Sequence, residues 1–172
     1  MQKQERICIF PENWKMKYTS LLALLLLSTL HLHSQSSGIT IPKEIHFPTP
    51  TSYDRAEPTV KACMQWLVNN PIDADPAEHK RLAPFVFKWL EGTDKASVAI
   101  DADLMKYTDK NSRLIMVFLS GWALYQLQHG VSDEAAAREA GLVALINSYS
   151  KAEEKVKDKD VEKLIRKRKK TK

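Results

Sequence analysis

The segment from Leu114 to Leu127 constrains the fold more than any other part of this sequence. Apolar residues occupy Leu114 to Leu119, Trp122 to Tyr125 and Leu127, and they cover every side of a helix. A helix that is apolar all round has to be enclosed by other elements, and this run is shorter than the roughly 20 residues that span a membrane. We therefore expect a helix over about 111–129, ended by Gly130, to form the axis of a buried core.

Amphipathic spacing predicts the elements around this axis. Val60, Cys63, Met64 and Leu67 recur at i, i+3, i+4 and i+7, which places them on one face of a helix. The same reasoning predicts helices at about 54–69, 76–91 and 132–150. One further helical turn is expected at 101–108. The expected fold class is all-α: a compact bundle of four to five helices with an extended Pro-containing lead-in and a basic C-terminal tail.

Several residues predict where these helices begin, break and end. Asp75 has the side chain of an N-cap, with Pro76 in the first turn, and Ser132 can cap the helix that follows it. Pro84 lacks an amide hydrogen, so we expect a kink or a break into two short helices near it. Gly92 is expected to end its helix in the left-handed conformation.

Two glycines fall in helix interiors, at Gly121 and Gly141. Each costs about 1 kcal/mol relative to alanine at such a position. Close contact between two helices would compensate for that cost, and we expect it here.

The domain organisation follows from composition. Residues 35–53 contain three prolines without helical periodicity and are expected to form an extended linker before a helical domain at 54–150. Residues 151–172 form a charged tail. Val161, Leu164 and Ile165 would point away from the preceding apolar stripe if that helix continued at 100° per residue. We therefore expect the tail to leave the core and its end, Arg166 to Lys172, to be solvated and mobile.

A short basic start, an apolar stretch from Leu21 to Leu32 and a polar exit are typical of a secretory signal peptide. We assign 16–34 to the signal, with cleavage near Ser34, and 1–15 to an upstream extension that is not native, because its glutamates make a poor start for a signal. The chain is then expected to be exported, periplasmic or secreted, with no transmembrane anchor after processing.

The distribution of charge and the number of cysteines limit what the folded chain can do. The net charge is +5, and because residues 151–172 carry a net +6, the rest of the chain is nearly neutral. Only Cys63 would survive processing, which excludes an internal disulfide and favours a buried thiol.

The sequence lacks the common nucleotide-binding, hydrolase and zinc motifs, and we expect no cofactor and no metal. An enzymatic site would have to be assembled from dispersed acidic residues and histidines. Such a site should bring together, in a deep pocket, at least two of Asp101, Asp103, Asp109, His79 and His129.

Two binding features remain. Trp66, Trp89 and Trp122 could line a ligand groove, although core aromatics are the commoner case. Arg166, Lys167, Arg168, Lys169 and Lys170 could make weak contact with a polyanion, and a solubilising tail is the alternative. No aromatic residue separates these basic residues, so specific nucleic-acid binding is not expected.

Four short segments together resemble a group of small exported bacterial proteins of unknown function. They are Phe87 to Gly92, Ser97 to Ile100, Gly121-Trp122 and Ala140 to Leu142. The resemblance implies an exported bacterial helical domain and supplies no activity, cofactor or site. The expected function is that of a non-enzymatic binding or structural protein of the periplasm or cell exterior, whose partner is an unknown protein or envelope component. An enzyme with a dispersed site and polyanion binding through the tail are the alternatives.

Overall fold

The computed structural model describes residues 37–170 of the chain. This part of the protein is all-α and contains six helices and no strand. They are α1 (Pro50–Asn69), α2 (Pro76–Leu90), α3 (Ala102–Thr108), α4 (Leu114–His129), α5 (Glu134–Lys151) and α6 (Lys159–Lys170). The expected four to five helices were therefore one or two too few. The predicted upstream extension (1–15) and signal peptide (16–34) lie outside the described residues.

Helix α4 lies at the centre of the described fold and packs against α1, α2, α3 and α5. Phe118 and Trp122 belong to a cluster shared with α5, while Ala123 belongs to a second cluster built mainly from α1 and α2. The predicted buried axis is confirmed. Among the six helices, none is both long and apolar enough to cross a membrane.

The lead-in is shorter than predicted, because α1 begins at Pro50 instead of Asp54. The Thr49 amide donates to Ser52 Oγ at 3.2 Å, and proline is favoured in the first turn. Pro58 consequently lies inside α1, where only the first turn was expected to accept it. Residues 37–49 contain no helix, and their apolar side chains, such as Ile41 and Phe47, pack against the α1–α2 cluster. We call this segment the strap.

Helix α2 begins as predicted, since the Asp75 side chain accepts a hydrogen bond from the Glu78 amide at 2.9 Å. The predicted break at Pro84 is absent, and α2 runs unbroken to Leu90. Pro84 is exposed, so water can hydrate the carbonyl that its ring leaves without an amide partner.

Two predicted helix-terminal roles were wrong. Gly92 does not adopt a positive φ, which among the described glycines occurs at Gly38 and Gly130. A Cβ on Gly92 would overlap the hydroxyl end of the Tyr53 side chain, so a larger residue here would displace that side chain. The N-cap of α5 is Asp133, not Ser132, and its Oδ1 accepts from the Ala136 amide at 2.9 Å.

Helices α4 and α5 cross in close contact at the two glycines, as predicted. A Cβ on Gly121 would lie 2.7 Å from the Cβ of Ala144, and one on Gly141 would lie 2.8 Å from the carbonyl oxygen of Phe118. These distances are too short for non-bonded carbon and oxygen atoms. Both positions therefore have to be glycine for the two backbones to approach this closely.

The tail does not leave the core. Helix α5 ends at Lys151, the chain turns, and α6 packs back with Val161 fully buried. Asp158 starts α6 by accepting from the Val161 amide at 3.3 Å, and its own amide donates to Tyr149 Oη at 2.8 Å. The prediction failed because it continued α5 as one helix through a segment where the chain in fact changes direction.

Candidate functional site

Residues of α5 and α6 line an open cavity of about 430 Å³, which we call the α5–α6 groove. Apolar side chains from both helices line it, including Val143 and Ile146 of α5 and Ile165 of α6. The complete lining is Glu139, Val143, Ile146, Asn147, Ser150, Ile165, Arg168 and Lys169. The docked position of α6 creates this groove, and a solvated tail, as the sequence predicted, would not form it.

Basic side chains of α6 border the groove. Arg168 is 28% exposed and binds the Glu139 carboxylate with both terminal nitrogens, at 2.5 and 2.6 Å. Lys169 also lines the groove and is exposed, while Arg166 is 65% exposed and lies 3.9 Å from Glu162. Arg168 is paired with Glu139, which also lines the groove, so the net positive charge at the border of the groove comes from Lys169.

The five basic residues predicted for polyanion contact do not form one uniform patch. Arg166, Lys167, Lys169 and Lys170 are exposed, whereas Arg168 is partly buried against α5. The short spacing of Ile165, Arg168 and Lys169, at i, i+3 and i+4, places these three residues on one side of α6. This spacing was visible in the sequence, but the partner face on α5 was not.

A shallower cavity of about 540 Å³ lies on the other side of α5, between that helix and α4. Its lining includes the small residues Gly121, Ala136 and Ala140 and the larger Tyr125. Val143 is 42% exposed and lines this cavity as well as the α5–α6 groove. The exposed Glu139, Val143 and Asn147 of α5 line both cavities, so the two depressions flank a mixed polar and apolar side of this helix.

The three tryptophans do not share a groove. Trp89 is fully buried in the α1–α2 cluster, where its indole nitrogen donates to the Tyr53 carbonyl oxygen at 3.0 Å. Trp122 is 2% exposed and belongs to the other cluster, while Trp66 packs partly buried beside Trp89's cluster. Trp89 and Trp122 are thus core residues.

The acidic candidates have separate structural roles. Asp101 caps α3 by accepting from the Leu104 amide at 2.7 Å and also pairs with Arg138 at 2.7 Å, and both interactions lower the pKa of its carboxyl. Asp103 lies 3.5 Å from Lys106 on the exposed side of α3. Asp109 is exposed at the end of the same helix.

The histidine candidates lie in different elements. His79 of α2 is 7% exposed, and its Nε2 hydrogen-bonds the carbonyl oxygen of Arg113 at 3.2 Å. Burial lowers the pKa of this imidazole, so it is neutral near pH 7. His129 is exposed at the end of α4, where its ring lies 4.5 Å from that of Tyr125. Neither histidine lines the α5–α6 groove.

A polar cluster that the sequence did not indicate fastens the strap to α2. The carboxylate of Glu78, 6% exposed, accepts from Arg81 Nε at 2.8 Å and from Arg81 Nη2 at 2.6 Å. Ser37 Oγ also donates to this carboxylate. The Arg81 guanidinium and the Ser37 hydroxyl hold the pKa of Glu78 below its usual range.

Within residues 37–170, no group of three or more His, Cys, Asp or Glu side chains is placed to hold a metal ion. The buried Cys63 is a free thiol whose pKa burial raises to about 11. The described part of the protein is therefore all-α, and it carries a groove with apolar lining residues and a cationic border. Comparison with family models, curated proteins and solved structures found no match.

Proposed function

We propose that this chain is an exported, non-enzymatic binding protein of the periplasm or cell exterior, and that its ligand is an anionic amphiphile of the envelope. The apolar run at 21–32 supports export, because its length and its polar exit are those of a signal peptide. The α5–α6 groove supports binding, because it offers an apolar surface that no other described element covers.

The chemistry of the groove favours a ligand with an apolar part and a negative head group. Val143, Ile146 and Ile165 would contact the apolar part. Lys169 and the neighbouring exposed Arg166 and Lys170 would attract the negative group, since α6 carries seven basic and two acidic residues. The observation that carries the proposal is this combination of apolar lining and cationic border in one cavity.

The alternatives have less support. The enzymatic site required at least two of the five acidic and histidine candidates to meet in a pocket, and the groove contains none of them. Polyanion binding through a free tail has less support because the basic residues lie on α6, which packs against the fold. We propose that they act there beside apolar residues.

Vesicle flotation tests the proposal. The purified mature chain should bind vesicles that contain phosphatidylglycerol more tightly than vesicles of phosphatidylcholine alone. Lys169→Glu should weaken that binding on the order of tenfold, because each basic residue near an anionic surface contributes about 1 kcal/mol. Val143→Asp should also weaken it, because a charge would be placed in the apolar lining.

Two matched variants serve as controls. Lys80 is exposed on α2, outside the groove, so Lys80→Glu makes the same charge change and should leave binding unchanged. Val131 is 47% exposed in the loop before α5, so Val131→Asp should likewise have no effect. Equal binding to neutral and anionic vesicles, or equal losses in test and control variants, would contradict the proposed ligand class.

A further inference from the structure

The strap begins with a residue held on both sides by α2. The backbone nitrogen of Ser37 lies 3.3 Å from Glu78 Oε1, and the Ser37 hydroxyl donates to the same oxygen. Arg81 Nη2 donates to the carbonyl oxygen of Ile39 at 2.9 Å. The intervening Gly38 has a φ of +66°, which lets the chain turn so that both neighbours reach α2. Ser37 is therefore fixed at a partly buried carboxylate.

The sequence just before Ser37 has the form that an export peptidase recognises. Ser34 and Ser36 are small residues separated by Gln35, which matches the small-x-small pattern of signal cleavage sites. This match is better than cleavage after Ser34, which would place Leu32 at the first of the two small positions. The compact unit that contains all six helices comprises residues 36–172, so cleavage here leaves it complete apart from its first residue.

We propose that the Ser36–Ser37 peptide bond is the processing site of this chain and that the new α-ammonium group of Ser37 is bound by Glu78. The inference rests on the export proposed above. A peptidase of the export machinery hydrolyses the bond with one water molecule: the hydroxyl adds to the Ser36 carbonyl carbon, and the Ser37 nitrogen leaves as a protonated amine. Cleavage precedes folding, and the folded protein then captures the amine.

Processing strengthens a contact that already exists. In the uncleaved chain an amide N–H of Ser37 faces Glu78 Oε1, whereas in the mature chain a positively charged group stands at the same place. Hydrogen bonds between two charged groups are stronger than those with a neutral donor. Arg81 shares the carboxylate through Nε and Nη2, so the ammonium adds to an existing ion pair and does not replace it.

The direct test is the N-terminus of the product recovered outside the cytoplasm, determined by mass spectrometry. The expected sequence begins Ser-Gly-Ile-Thr. A processed product that begins at any other residue overturns this inference and leaves the proposed export intact. An unprocessed chain found only in the cytosol overturns both.

Two adjacent variants test the cleavage pattern. Ser36→Phe places a large side chain at a position that requires a small one and should abolish the product that begins at Ser37. Gln35→Phe places the same side chain at the unrestricted middle position and should leave cleavage at that bond unchanged. Cleavage after residue 36 in both variants, or in neither, would contradict the proposed bond.

Thermal unfolding tests the ammonium contact. Selective acetylation of the mature α-amino group near neutral pH removes its charge, since this group has a lower pKa than lysine. Acetylation should lower Tm by about 2–4 °C in the protein with Glu78. The decrease should be smaller in Glu78→Gln, where the charged partner is missing. An equal effect in both proteins, or no effect in either, would overturn the contact.

Discussion

At the scale of single residues, the fold depends on two glycines whose lack of a side chain lets two helices approach closely. Gly121 of α4 lies against α5, where a Cβ would overlap Ala144. Gly141 of α5 lies against α4, where a Cβ would overlap Phe118. The cost of glycine in a helix is therefore offset by the contact of α4 with α5. The sequence predicted this contact because glycine in a helix interior is costly, and close approach of two helices compensates for that cost.

Gly141→Ala should destabilise the protein by about 1–2 kcal/mol. Overpacking costs about 1–3 kcal/mol, and the better helix propensity of alanine returns up to about 1 kcal/mol. Urea unfolding monitored by circular dichroism gives the difference. Ser150→Ala, on the exposed side of the same helix, tests propensity alone and should be neutral or slightly stabilising. A stabilised Gly141→Ala protein would contradict the close contact.

Burial also sets the charge state of His79. In the unfolded chain the imidazole titrates near its ordinary pKa of 6.5, whereas in the folded protein that pKa is lowered by burial. Between the two values the unfolded state binds more protons, so stability rises with pH there. The contribution of the neutral His79 imidazole to the free energy of unfolding is complete above about pH 6.5. It is lost as the pH falls toward the pKa of His79 in the folded protein.

The free energy of unfolding should therefore decrease between pH 7 and pH 5 in the protein with His79, and this decrease should be smaller in His79→Gln. Urea unfolding at several pH values in that range measures both. His46 is exposed on the strap, so His46→Gln should keep the pH dependence of the unsubstituted protein. An unchanged slope in His79→Gln would show that the imidazole is not the group responsible.

At the scale of elements, periodicity predicted the main helices but not every boundary or the place of the tail. Helix α4 was recognised because its apolar residues surround it completely, and α2 because Asp75 and Pro76 mark its start. Helix α1 begins earlier than its apolar stripe, because Thr49 and Ser52 form its first turn. Such a start depends on local hydrogen bonds that the apolar pattern does not report.

The tail helix shows most clearly what the sequence could not provide. Val161 is fully buried, yet its direction was calculated as if α5 continued through residues 152–158. The chain turns there because Asp73 accepts from the amides of Glu153 and Glu154, at 2.8 and 2.6 Å. These partners are about 80 residues apart in the sequence, so no local pattern connects them.

Val161→Asp should release α6 and leave α1 to α5 folded, because a charge cannot be buried at this position without a partner. Trypsin should then cut after Lys163 several times faster than in the unsubstituted protein, as followed by mass spectrometry. Val156 is 58% exposed, so Val156→Asp makes the same substitution without effect on docking. Equal rates in both variants would contradict a docked α6.

At the scale of the whole molecule, the sequence predicted the fold class better than the candidate site. The basic residues of α6 were recognised from their charge, but their neighbours Val143 and Ile146 belong to α5 and meet them only in three dimensions. Trp89 and Trp122, which the sequence offered as groove candidates, are core residues. A surface shared by two helices is defined by their docking, which single-helix patterns do not report.

Export followed by processing is the central claim, and cell fractionation with intact-mass measurement tests it most directly. The chain expressed in bacteria should be recovered outside the cytoplasm at a mass reduced by loss of the apolar segment at 21–32. Recovery of the chain only in the cytosol, with that segment still attached, would contradict the account.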